Sequence, residues 1–154
     1  MACQLPACRG EKFEVEGGIF LNQSLCEKVT HIIQQRNLYS IMNNTKWTEL
    51  ISSIIQEMPF PPAFVIKYVT SEIEPSIDVS ACNYCGDWTG ENFPPLEYYF
   101  NIEWIKVQPR YCKHIGQLVS PEIVDGSKEF EAILDKFHIP YEIESGAYCI
   151  YGYK

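Results

Sequence analysis

Residues 43–62, NNTKWTELISSIIQEMPFPP, contain a change of period that limits what this chain can fold into. Trp47, Leu50, Ile51, Ile54, Ile55 and Met58 recur at helical spacing behind three N-cap candidates, Asn43, Asn44 and Thr45. Pro59, Pro61 and Pro62 then stop the helix, because proline lacks the backbone N–H that a further turn needs and disfavours helical geometry in the residue before it. Beyond the prolines the apolar period becomes two. AFVIKYV (63–69) and SIDVSACNYC (76–85) read as strands around the acidic loop EIEP.

LEYYFNIEWIKV (96–107) alternates Leu96, Tyr98, Phe100, Ile102 and Trp104 against Glu97, Tyr99, Asn101 and Glu103. That pattern predicts a half-buried strand whose outward face is acidic and aromatic. YCKHIGQLV adds a short strand. In KEFEAILDKFHI, Phe130, Ile133, Leu134 and Phe137 mark one face of a helix that Pro140 closes. The end of the chain, YEIESGAYCIYGY, reads as a β-hairpin turning near Ser145-Gly146. Helix, antiparallel strands, helix and hairpin predict an α+β fold, with an antiparallel sheet packed by helices on one face.

Upstream, Leu25, Val29, Ile32 and Ile33 line one face of a shorter helix over 22–37, with His31 beside the stripe. The first twenty residues, with Pro6, Gly10, Gly17 and Gly18, read as an extended lead-in. Residues 1–41 are therefore expected to be an N-terminal extension with one short helix, and 42–154 the main domain.

The formal charge of −8 is unevenly spread: residues 1–41 hold four basic and four acidic side chains, and 42–154 hold eight and sixteen. A surface poor in Lys and Arg disfavours nucleic acid and suits a basic protein partner. No apolar run reaches the roughly 20 residues that span a bilayer, and the N-terminus lacks a basic segment followed by an apolar one. Seven unevenly spaced cysteines predict reduced thiols and a cytoplasmic location.

The segment ACNYCGDW (81–88) carries the one short chemical signature. With YCKH, it offers Cys82, Cys85, Cys112 and His114 as a tetrahedral zinc set. The C-x-H spacing is short for that purpose, and a regular strand turns Cys82 and Cys85 to opposite faces, so structural cysteines and no cofactor are the first expectation. A redox pair lacks a following helix to stabilise a thiolate. His31, His114 and His138 lie outside any nucleophile motif, and Gly17-Gly18 is not a phosphate loop. Glu72/Glu74 and Glu142/Glu144 read as solvated strand edges. What remains is a surface: Asp87, Trp88 and Glu91 in a turn, with Glu97, Tyr99 and Glu103 on the outward strand face, form an expected acidic patch with aromatic anchors.

NNTKWTELISSIIQEM, IEWIKV and the closing YCIYGYK resemble a family of small bacterial proteins known as a domain of unknown function, over about Met42 to Lys154. The resemblance implies a bacterial cytoplasmic protein and brings no catalytic residues with it. The combined expectation is a non-catalytic, acidic protein-binding protein, most concretely an immunity-type inhibitor of a basic toxin such as a nuclease. The alternative is a small zinc module on Cys82, Cys85, Cys112 and His114.

Overall fold

The computed structural model describes residues 18–82, 84–89 and 92–154, with side chains from residue 24 onward. Of the expected lead-in over the first twenty residues, 1–17 lie outside the described residues, and 18–20 are helical rather than extended. Helix α1 spans Gly18–Gln35, starting earlier than its apolar stripe suggests, and ends before Asn37, whose positive φ of 52° closes it.

Helix α2, Asn44–Glu57, begins and stops where its sequence directs. The Asn43 side chain accepts a hydrogen bond from the Lys46 N–H at 2.8 Å, satisfying one of the free donors of the first turn. Met58, forced extended by Pro59, ends the helix at φ −73° and ψ 140°. Trp47, Leu50, Ile51 and Ile54 are buried, while Ile55 is half exposed.

A four-stranded antiparallel sheet follows, in the order β1-β2-β6-β5. It is built from β1 (Ala63–Tyr68), β2 (Ile102–Gln108), β5 (Glu142–Glu144) and β6 (Ala147–Tyr151). The expected terminal hairpin is β5 and β6. Ser145 (φ 51°) and Gly146 (φ 87°) make its two-residue turn, with both central residues left-handed as such turns require. Helix α3, Ser127–Lys136, follows a second, two-stranded sheet of β3 (Arg110–Lys113) and β4 (Glu122–Asp125).

Ile105 and Val107 of β2, with Tyr148 and Ile150 of β6, meet the apolar stripes of α2 and α3 in the main core. This is the α+β arrangement of helices on a sheet face. A second cluster joins Val29 and Ile33 of α1 to Val69 and Tyr153, so the helix that precedes Met42 packs on the end of the sheet.

Two expected strands are corrected. Ser76–Cys85 contains no strand among its described residues; Asp78 instead caps a turn by accepting from the Ser80 N–H and hydroxyl. This irregular segment runs over the sheet's second face, where buried Gln108 donates to the Val79 carbonyl at 2.8 Å. The expected strand over 96–107 is a 3-10 helix over Leu96–Asn101 followed by β2. Tyr99 and Ile102, which the alternating pattern had assigned to different faces, are both buried.

Candidate functional site

The structure divides the expected acidic patch. Glu103 is buried, not outward-facing, because a β-bulge breaks the register: Lys67 pairs with Trp104 and Tyr68 with Ile102, leaving Glu103 without a partner on β1. Its carboxylate turns to two cations. Arg36 of the turn after α1 grips both oxygens, at 2.7 and 2.9 Å, and buried Lys67 donates to Oε2 at 3.1 Å. Lys67 also donates to the carbonyls of Tyr68 and Ser71, so its charge is fully bonded. Burial pushes the Glu103 carboxyl up, but the bonds from Arg36 and Lys67 outweigh it and hold it below the usual carboxylate range.

Trp88 and Tyr99 are corrected in the same way, from surface anchors to core. Trp88 is 4% exposed and packs against Phe64 and Phe93 at ring separations of 4.4 and 5.4 Å. Its indole N–H donates to the Pro62 carbonyl at 2.8 Å, which is what allows so large a ring to sit inside. Tyr99 meets Phe93 edge to face, and burial raises its hydroxyl above the ordinary value. Of the expected patch, Asp87 and Glu97 are exposed. Glu91 lies outside the described residues.

Asp87 stands at the rim of a feature that sequence reasoning missed. The end of α2, Phe60-Pro61 and the segment Gly86–Thr89 enclose an open groove of about 390 Å³, with Ile55, Met58 and Phe60 supplying apolar walls. Gly86 makes the close approach possible: its N–H bonds to the Pro61 carbonyl at 3.1 Å, and a side-chain carbon at this position would overlap the Pro62 carbonyl oxygen. Asn92 donates to the Asp87 carboxylate at 2.8 Å, and the Thr89 N–H and hydroxyl do so at 3.0 Å. These bonds, with that from Asn92 foremost, hold the carboxyl below its ordinary range, so the rim keeps its negative charge. The sequence signal was Ile55, one apolar residue more than the α2 stripe needs for the core.

The cysteines separate by environment. Cys82 and Cys112 are joined in a disulfide across 30 residues, next to a 2.6 Å bond from the Cys112 N–H to the Cys82 carbonyl. The expectation of reduced thiols is corrected for that pair. Cys85 is an exposed free thiol, and Cys149 a buried one on β6 whose burial pushes it up to about 11. His114 stands in an exposed loop. Of the four residues weighed as zinc ligands, only Cys82 and Cys112 come together, and among the described residues no three metal-ligating side chains converge.

Glu142 and Glu144 on β5 are engaged rather than poised. Glu142 pairs with Lys154, and Glu144 accepts from Lys106 at 2.8 Å and from the Tyr151 hydroxyl at 2.8 Å. Among the described residues no hydrogen bond joins a histidine to a serine, cysteine or carboxylate.

Fold and site together define an α+β protein with an antiparallel sheet under helices, a bonded internal ion cluster and an apolar groove with a carboxylate rim. The chain belongs to a family of unknown function, DUF6678, whose model matches residues 29–154. The match starts within α1, earlier than the resemblance from Met42 suggested, and takes in Val29, Ile33 and Arg36, the residues that tie α1 to the sheet. Comparison with curated proteins and with solved structures returned no match. Among the described residues no helix is long and apolar enough to cross a membrane.

Proposed function

We propose that this is a non-catalytic protein-binding protein that presents carboxylates to a basic protein, most concretely an immunity-type inhibitor of a basic toxin such as a nuclease. One observation carries the reading: half of the described cations are paired with carboxylates of the same chain, and the unpaired remainder is outnumbered by free carboxylates. Lys67, Lys106, Lys136 and Lys154 are each paired with a carboxylate of the same chain, and Arg36 is paired with Glu103. From Met42 onward that leaves Lys46, Arg110, Lys113 and Lys128 against eleven described carboxylates outside those pairs. Such a surface steers a cationic partner inward and repels nucleic acid. The groove beside Asp87 adds what charge alone lacks, apolar area where a side chain of the partner loses water.

The experiment is a pull-down with the protein encoded next to this gene, followed by co-expression with it. Capture of a basic neighbour and protection of the cell support the reading; capture of unrelated metabolic proteins alone, with no protection, sinks it. The proposed location is the cytoplasm, where a nuclease would act. Thiols trapped in intact cells test that placement: a Cys82–Cys112 disulfide that forms only after lysis agrees with it, whereas one already formed in the cell points to an oxidising compartment.

A further inference from the structure

The β3–β4 hairpin ends in a chemistry that matches the groove. Residues 113–123 are exposed throughout. Within them Ile115, Leu118, Val119 and Ile123 are 57, 101, 59 and 55% exposed, a density of bare aliphatic side chains that monomers seldom leave in water. The base of the hairpin is anchored, with Tyr111 against Phe60 at 5.8 Å and Cys112 bonded to Cys82. The tip does not fill the groove of its own chain, since none of its residues lines it.

One charge pair matches as well, with Glu122 opposite Lys113 across the hairpin. Lys113 precedes the apolar tip, and the Asp87 carboxylate rims the apolar groove. At about 390 Å³ the groove lies at the lower end of the range that accepts small ligands, room for a few aliphatic side chains.

We propose that the hairpin tip of one copy seats in the groove of a second copy. Leu118 and Val119 enter between Ile55, Met58 and Phe60, and Lys113 faces Asp87. Because each chain carries both parts, a reciprocal exchange about a two-fold axis closes the assembly as a dimer. The inference rests on reading the groove as a docking surface and makes the second copy its resident occupant, so a basic partner that uses the groove competes with the dimer.

Sedimentation velocity of the full chain over a concentration series tests this. The wild type is expected to dimerise. Leu118→Asp, at a fully exposed position whose fold is checked by an unchanged circular-dichroism spectrum, and Asp87→Lys each raise the dimer dissociation constant at least tenfold. Combining Lys113→Glu with Asp87→Lys restores most of the affinity. A wild type that stays monomeric at the highest attainable concentration overturns the proposal, and so does a dimer indifferent to both Leu118 and Asp87. Either result leaves the proposed binding of a basic protein standing, because that is read separately by capture of the neighbouring protein.

Discussion

Removing the Glu103 carboxylate leaves buried Lys67 without its counter-charge, and Glu103→Ala is expected to cost about 3–5 kcal/mol in denaturant unfolding. Arg36 contributes less, since it is 44% exposed and water replaces part of what it loses. The pH dependence follows from the lowered folded-state value of Glu103. Its stabilisation is complete above the unfolded-chain value, about 4.3, and is lost as the pH falls through the lower folded one. The stability gap between wild type and Glu103→Gln should therefore narrow on acidification below about pH 4; a gap that widens would contradict the pairing. The thiols offer a second check at this scale. Alkylation followed by mass spectrometry is expected to label Cys85 in the folded protein, Cys149 only on unfolding, and Cys82 and Cys112 only after reduction. None of this was legible in IEWIKV, because a bulge moves one residue to the other side and leaves no mark in an alternating pattern.

Elements with local determinants were legible, and their determinants are measurable. Asn43→Ala removes the cap of α2 and is expected to cost about 1 kcal/mol. Gly152 makes a sharper test, since its N–H bonds to the Glu103 carbonyl at 2.7 Å and a side-chain carbon there would overlap the Ile102 carbonyl oxygen. Gly152→Ala has to push β2 and the chain end apart, and a loss of about 1–3 kcal/mol is expected, as for an overpacked core. A neutral Gly152→Ala would show that the two segments yield easily. Helices α2 and α3 and the β5–β6 hairpin were readable because caps, prolines and a Ser-Gly turn act over a few residues. The 3-10 helix over Leu96–Asn101 was not, since the alternation of 96–104 reads as a strand throughout, while the contact that Tyr99 makes with Phe93 belongs to the tertiary fold. The segment Ser76–Cys85 failed for a related reason: its alternation is real, but it meets β2 through a side-chain bond from Gln108 to the Val79 carbonyl and not through a ladder.

Across the whole molecule, charge was the most readable property and the groove the least. The surplus of carboxylates is a count, visible in any chain; that Arg36, Lys67, Lys106, Lys136 and Lys154 are paired with Glu57, Glu103, Glu142 and Glu144 depends on which surfaces meet. The groove joins the contiguous end of α2 and proline segment to Gly86–Thr89, a stretch distant in sequence, and only Ile55 hinted at it. Trp88 and Tyr99, chosen as anchors because aromatic side chains often are, instead support that groove from beneath or stand in the core beside Phe93. The proposal that a carboxylate surface with an apolar groove binds a basic protein is tested most directly by calorimetric titration of this protein, at low and high salt, with a basic protein captured in the pull-down. The account expects saturable binding that weakens with salt and falls at least tenfold in Asp87→Lys, a loss of about 1.4 kcal/mol. No binding, or binding indifferent to both salt and Asp87, would contradict it.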